Sequence, residues 1–271
     1  MEIFINQDLL VHMNALTLRF LEVGDVDTDP TWRAEGVCSS FSRLYLVTGG
    51  EGTVCTEEGS VTLMPGYAYL IPAGLRYSYQ CGTHLEKLYF HFNLVRPDGY
   101  DYFNRFGKVA KVPLDLKDAA MLRRMFHDGD AFSSALTMEL YVSRILSGIL
   151  GNVPYHPNQP TKLSARTAAA VAYIRENLSA ALTVQAVAQA LFVSKGTLAR
   201  TFREEVGCSV SQYIDDQIFR FAEEKLLYTG ESVASISELC GFCDQFYFSR
   251  KFSERYGMSP SLYRQSYQTE K

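Results

Sequence analysis

The chain lacks any run of about 18 or more consecutive apolar residues, so no conventional membrane-spanning helix is expected. Its opening residues, Met1-Glu-Ile-Phe-Ile-Asn6, have neither the basic start nor the apolar core of a secretory leader, which predicts a cytoplasmic location. No Gly-rich phosphate loop and no Ser/His/Asp or Cys/His arrangement is found, so no catalytic residues are assigned. Six cysteines (Cys38, Cys55, Cys81, Cys208, Cys240, Cys243) are spread through a chain too long to need disulfide staples, as expected of reduced thiols. Cys240-Gly-Phe-Cys243 has the spacing of half a metal clip. No second Cys or His pair lies near it to complete four ligands, so no metal site and no cofactor is expected. An excess of positive charge is missing too: the net charge is −4. Residues 162–271 carry 13 Lys+Arg against 12 Asp+Glu. Charge alone therefore does not point to nucleic acid, and only its distribution could.

What is present is 47% hydrophobic residues in 271, enough for real cores and for two domains. Gly151-Asn-Val-Pro-Tyr-His-Pro-Asn-Gln-Pro160 places three prolines among polar neighbours without periodicity, the composition of a semi-rigid spacer. The expected division is a first domain over 1–150, a linker over 151–163 and a second domain over 164–271.

Residues from about 16 to 95 read as short strands: Leu44–Thr48, Gly52–Thr56, Val61–Met64, Ala68–Ile71, Tyr77–Tyr79 and Lys87–Leu94 are rich in β-branched and aromatic residues and separated by turn formers. Such spacing predicts a sandwich or barrel. From Leu116 to Leu150 the pattern becomes helical, with a break at His127-Asp-Gly-Asp130. Phe132, Leu136, Met138, Leu140, Val142, Ile145 and Ile149 give this stretch an apolar character that suits packing on the sheet, pairing two chains, or both.

After the linker seven helices are predicted: Thr167–Leu178, Val184–Leu191, Lys195–Glu205, Ser211–Tyr228, Val233–Cys240, Gln245–Arg255 and Ser261–Ser266. They contain a repeat. Arg200-Thr-Phe-Arg-Glu-Glu-Val-Gly-Cys-Ser-Val-Ser-Gln-Tyr213 returns as Arg250-Lys-Phe-Ser-Glu-Arg-Tyr-Gly-Met-Ser-Pro-Ser-Leu-Tyr263, with seven of fourteen positions identical. Each copy follows a short helix and a turn. In the first, Ser194 caps a helix whose buried stripe is Leu198, Phe202 and Val206, leaving Lys195, Gly196, Ala199, Arg200 and Arg203 outward. In the second, Asp244 caps a helix with Phe248 and Phe252 buried. Gln245, Phe246, Ser249 and Arg250 then fall on one side, with Lys251 and Arg255 left for phosphates. Small residues beside arginines suit a helix entering a major groove, where Arg reads guanine, Gln reads adenine and Phe touches a thymine methyl. A long helix, with Tyr213, Ile214, Ile218, Phe221, Ala222 and Leu226 inward, would hold the two copies apart.

Residues from about 164 to 266 resemble the DNA-binding domain of AraC-type transcription regulators. The resemblance rests on Ile236-Ser-Glu-Leu-Cys-Gly-Phe-Cys-Asp-Gln-Phe-Tyr-Phe-Ser-Arg-Lys-Phe252 and Gly257-Met-Ser-Pro-Ser-Leu-Tyr-Arg264. It implies base contacts from Gly196, Ala199, Arg200, Gln245, Phe246, Ser249 and Arg250. Three positions depart from the family: Ile218 stands where an Arg is usual, Phe192 where a turn Gly is usual, and Ser237 where Ala is common.

Pro65-Gly-Tyr-Ala-Tyr-Leu-Ile-Pro-Ala-Gly-Leu-Arg-Tyr77 is similar to the cupin-like effector domain of the same family, with Tyr77 at the position of a metal-binding His. The fold expected is therefore an α+β multidomain chain: a cupin-like β-barrel or jelly roll with flanking helices, then an all-α domain with two helix-turn-helix units. Trp32, Arg33, Tyr45, Tyr77, Tyr79, Phe90 and Phe92 are the candidate effector contacts, since aromatic faces with a few polar groups suit a small organic ligand such as a sugar. Alternation puts Phe90 and Phe92 on one face and Tyr89 and His91 on the other, without saying which is inside. The resemblance implies a homodimeric regulator of double-stranded DNA with a carbohydrate as leading effector, contacting RNA polymerase if it activates. A regulator without a small-molecule ligand, and a cupin enzyme fused to a DNA-binding module, stay open as alternatives.

Overall fold

The computed structural model describes residues 16–104, 106–151 and 163–269, together with positions 6, 9, 10, 13 and 14. The proposed linker lies almost wholly outside the described residues. Two compact units result. A sheet-built unit gathers Leu18–Leu94, the described residues from Asp101 to Gly151, and the end of the chain from Ser266; a helical unit gathers the residues from 163 to Gln265 together with Val95–Tyr100.

The sheet-built unit has seven strands: β1 Thr17–Thr28, β2 Arg33–Val37, β3 Ser42–Thr56, β4 Gly59–Leu63, β5 Tyr67–Ile71, β6 Tyr77–Val95 and β7 Ala110–Pro113. They form one sheet in the order β1-β6-β3-β5-β7, with β2 added on β6 and β4 on β3. Two pairs of predicted strands are single long ones. β3 and β6 stay antiparallel from Ser42↔Phe92 to Cys55↔Ser78, with irregular register between Val47 and Gly49 and between Gly50 and Gly52. Gly50 holds φ 67°, and a Cβ there would meet the His84 carbonyl oxygen at 2.2 Å. The glycines thus bend the strand without ending it, as a bulge does.

Two helices follow, α1 Leu116–Asp128 and α2 Ala131–Gly151, separated at the predicted break. The period of two along the strands sorts side chains onto two faces. One face carries Leu44, Leu46, Ala68, Leu70, Leu88, Phe90, Phe92 and Leu94, which pack on Leu122 of α1 and Met138, Val142, Ile145 and Ile149 of α2. The other carries Trp32, Tyr45, Val47, Val54, Tyr69, Tyr77, Tyr79 and Tyr89. At the end of β6 the buried Asp101 carboxylate accepts from the Asn93 amide (3.1 Å), the Phe103 and Leu94 backbone N–H groups (2.8 and 2.9 Å) and the Ser42 hydroxyl (3.0 Å). Burial still raises its pKa to about 6, because desolvation outweighs those donors.

The helical unit contains α3 Ala165–Glu176, α4 Val184–Ala190, α5 Lys195–Val206, α6 Val210–Tyr228, α7 Val233–Leu239 and α8 Gln245–Tyr256, with α9 Pro260–Thr269 beginning in it. Its helices start where capping residues stand: Ser164, Thr183, Ser194, Ser209, Ser232 and Asp244 each accept from a backbone N–H of the first turn. Gly207 and Gly257 close α5 and α8 in the left-handed conformation, at φ 84° and 83°.

A single core runs from Val187, Leu198 and Phe202 through Tyr213, Ile214, Ile218, Phe219 and Leu226 to Ile236, Phe248, Phe252 and Tyr263. On α6 the buried ring is Phe219 and not Phe221, which is half-buried. The same helix buries Glu223, whose carboxyl group accepts from the Tyr263 hydroxyl at 2.5 Å and lies 3.2 Å from the Tyr256 hydroxyl, which also donates to the Phe219 carbonyl at 3.0 Å. Val95–Tyr100 is fastened to α6: the Tyr213 hydroxyl donates to the Asp98 carbonyl at 2.7 Å, Tyr100 to Asp216, and Arg220 to the Gly99 carbonyl.

Candidate functional site

Two short helix-turn-helix heads occupy the helical unit, α4–α5 and α7–α8. Their turns share hydrogen bonding. Val193 N donates to the Ala188 carbonyl and Phe192 N to Gln189 in the first; Phe242 N donates to Ser237 and Gly241 N to Glu238 in the second. Phe192 and Gly241 are thereby equivalent, and both have positive φ, 54° and 77°. For glycine that costs nothing steric; for a side chain it does.

On α5, Lys195, Gly196, Ala199, Arg200 and Arg203 are all exposed, while Leu198, Phe202 and Val206 are buried. On α8, Gln245, Phe246, Arg250 and Lys251 are exposed and Ser249 is partly so. The first set, and Gln245, Phe246, Ser249 and Arg250 of the second, each share one helical face at 3.6-residue spacing, with Lys251 further round α8. Asp244 anchors the entry to α8 more firmly than Ser194 anchors α5, since its carboxylate accepts from both Phe246 N (2.9 Å) and Tyr247 N (3.0 Å). Phe246 is 81% exposed, which burial within the chain does not account for. The Arg250 guanidinium lies 5.2 Å from the Tyr247 ring centre, which holds it against the helix surface. Lys251 pairs with Glu254 at 3.4 Å.

Arg255, expected to reach phosphate, is engaged otherwise. It forms an ion pair with Asp216 and lies over the Phe219 and Tyr256 rings. Cys240 is buried, and desolvation pushes its thiol up to about 12, while Cys243 is exposed. Among the described residues no group of three or more His, Cys, Asp or Glu is placed to hold a metal ion.

In the sheet-built unit the candidate effector residues divide. Trp32, Tyr45, Tyr77 and Tyr79 come together on one face: Trp32 lies 4.4 Å from Tyr79 and 6.3 Å from Tyr45, and Tyr77 lies 5.9 Å from Tyr79. Phe90 and Phe92 sit on the other face, under the helices. Arg33 is exposed, at a groove of ≈ 530 Å³ that it lines with Glu35, Cys55, Ser78, Tyr79 and Gln80.

Two residues outside the predicted set join the aromatic face. Lys87 is buried with its ammonium 4.0 Å from the ring centres of both Trp32 and Tyr45, and Arg43 is buried with its guanidinium 4.6 Å from Phe41 and 5.6 Å from Tyr77. Trp32 Nε1 is buried without a hydrogen-bond partner among the described residues. At one end of this face, Tyr89 donates to Glu22 at 2.9 Å, and His91 and Tyr267 lie beside it.

Residues 187–266 match the family described as a helix-turn-helix domain. Over 249 residues the chain is 33% identical to an uncharacterized HTH-type transcriptional regulator, YfiF, of Bacillus subtilis (strain 168), covering 86% of this chain and 79% of that one. It is 27% identical over 237 residues to the arabinose operon regulatory protein of Escherichia coli (strain K12), covering 82% of this chain and 79% of the relative. The crystal structure of ToxT from Vibrio cholerae strain SCE256, with an unsaturated fatty acid bound, is similar in fold over 92% of this chain and 95% of that one, with a TM-score of 0.55 at 13% identity.

Proposed function

Because the chain belongs to the AraC-type family of helix-turn-helix transcription regulators, we propose that it binds specific DNA sites through both heads and responds to a small molecule held on the aromatic face of its sheet-built unit. The observation that carries the DNA reading is the pair of capped heads, each with a buried apolar stripe and an outward face of polar, small and basic residues.

Lys195, Gly196, Ala199, Arg200 and Arg203 form the first contact surface, and Gln245, Phe246, Ser249, Arg250 and Lys251 the second. Gly196 and Ala199 offer no base-edge hydrogen bonds, so the first head leans on Arg200 and phosphates and the second carries more of the specificity. The protein acts as a cytoplasmic regulator and not as an enzyme.

A carbohydrate is the effector we favour. Trp32, Tyr45, Tyr77 and Tyr79 supply stacking faces and hydroxyls on the same side of the sheet, and one relative is named for an arabinose operon. A carboxylate-bearing ligand is the second reading, favoured by Lys87 and Arg43, two buried cations on that face. On α2, Phe132, Leu136 and Leu140 recur every fourth residue and are 78%, 51% and 64% exposed, which supports a homodimer formed through this stripe. An activator of this kind would also contact RNA polymerase.

Selection of bound sequences from a random DNA pool, with and without candidate sugars, tests this reading. At the selected site, Arg250→Ala is expected to lose about 1–3 kcal/mol of binding and to relax base preference at one position. An equal loss on random DNA would make Arg250 a phosphate contact and refute its assignment as a base reader.

A further inference from the structure

Tyr267 reaches the aromatic face from a helix, far along the chain from the strands that supply most of it. It comes from α9, in sequence 245 residues after Glu22 and 176 after His91, and belongs with the sheet-built unit. It is buried there. Its hydroxyl donates to Glu22 Oε2 and lies 2.8 Å from His91 Nδ1. With its only proton given to the carboxylate, the oxygen accepts from the His91 N–H. Its ring stands edge-on to Phe41 at 6.2 Å and tilted against His91 at 5.5 Å. The remaining walls of this cradle come from the sheet-built unit. Glu22 is on β1, Tyr89 and His91 are on β6, the Tyr89 hydroxyl takes the other Glu22 oxygen, and Phe41 lies just before β3.

The geometry points to Tyr267 as an internal stand-in for the effector: the Glu22–His91 cradle is a binding site for a ring hydroxyl of an external ligand, which displaces the Tyr267 side chain when it binds. This inference rests on the effector reading above and specifies its chemistry. Glu22 requires a donor, and His91, in the tautomer that donates from Nδ1, requires an acceptor. Glu22 also accepts from Tyr89, and His91 Nδ1 stands 3.5 Å from Glu22 Oε2, so a hydroxyl between them bridges a donor and an acceptor that are held just too far apart for a good direct hydrogen bond. A single hydroxyl on a flat or puckered ring meets both demands at once, which an amine, a thioether or an aliphatic chain does not. Sugars and phenols both carry such a group. The cradle also adjoins the Trp32–Lys87 cluster, since the Lys87 ammonium lies 6.0 Å from the Tyr89 ring centre. A ligand hydroxyl at Glu22 therefore leaves the rest of the ligand toward those rings.

The test compares the full chain with two altered forms, and Trp32, the only tryptophan in the sequence, reports from the same face in each. Trp32 emission is titrated with L-arabinose in one arm and phenol in the other, for the unaltered protein, Tyr267→Phe, and a chain ending at Gln265. If Tyr267 competes for the cradle, removing it raises the competent fraction, so at least one probe binds about fivefold tighter or more in the shortened chain. Tyr267→Phe should gain less, because its ring still occupies the space. Glu22→Gln in the shortened chain should abolish the gain. The arm that responds identifies the source of the hydroxyl. A probe that binds the unaltered protein with the same or better affinity than both variants would overturn the stand-in role and leave the effector reading in place. Absence of any response to either probe in all chains, with unchanged melting curves showing them folded, would remove the ring-hydroxyl site and count against a sugar effector as well.

Discussion

In the first head the turn carries Phe192 at φ 54°, 96% exposed, whereas the second carries Gly241 at φ 77°, pressed against Ser179. At the position before each turn, Ala188 in the first head corresponds to Ser237 in the second, whose hydroxyl is buried without a hydrogen-bond partner among the described residues. The second helices of the two heads differ in the same piecemeal way. Phe252 of the second head stacks among Phe219, Phe248, Tyr256 and Tyr263, while Phe202 of the first meets Tyr213. The lesson is that a repeat conserves the frame of a unit while each copy carries its own local strain. Neither head is the better-built one throughout.

The comparison yields ordered expectations for stability, each read from denaturant unfolding of the full chain. The largest effect is Phe252→Ala, at about 4 kcal/mol, and it should exceed Phe202→Ala by roughly 1 kcal/mol because the aromatic stack adds to the lost burial. Equal losses would show that the stack contributes nothing beyond area.

Next comes Gly241→Ala, at about 2 kcal/mol of destabilisation, since a Cβ there meets Ser179 Oγ at 2.1 Å and the backbone is left-handed. A neutral result would mean that the loop around Ser179 yields freely. Ser237→Ala, which gives the second head the residue of the first, should stabilise by about 1 kcal/mol through loss of an unsatisfied buried hydroxyl. A loss of stability would imply a partner for that hydroxyl. Smallest is Phe192→Gly, expected to stabilise by about 0.5 kcal/mol, as relief of left-handed strain is partly offset by the added freedom of the unfolded chain. If it destabilises instead, the Phe192 ring makes a contact that its exposure conceals.

The helical unit was legible in the sequence because its signals are local. Ser194, Ser232 and Asp244 announce the helix starts, and Leu198, Phe202 and Val206 repeat within one helix. The sheet-built unit was legible as strands but not as faces. Alternation separated Phe90 from Tyr89, yet the choice of inner face depends on where α2 packs, a contact made far along the chain. Breaks at Gly49-Gly50 looked like strand ends because a bend and a turn use the same residue. Lys87 was missed because a lysine in a strand reads as solvent-exposed, and its cage is assembled from Trp32 and Tyr45, remote in sequence. Tyr267 and Val95–Tyr100 gave no local cue at all, since their partners lie more than a hundred residues away.

One backbone contact bears on how such a molecule changes over generations. Ala180 N, just before the first head, donates to the Cys240 carbonyl in the turn of the second at 2.8 Å, and both heads share one core. A substitution at Gln245, Phe246 or Arg250 changes only the outer surface of one copy and leaves the shared core as it was. A substitution at Ile218 or Phe219 is felt by both copies together. The two copies thus differ freely on their outer faces but fold, and fail, as one body.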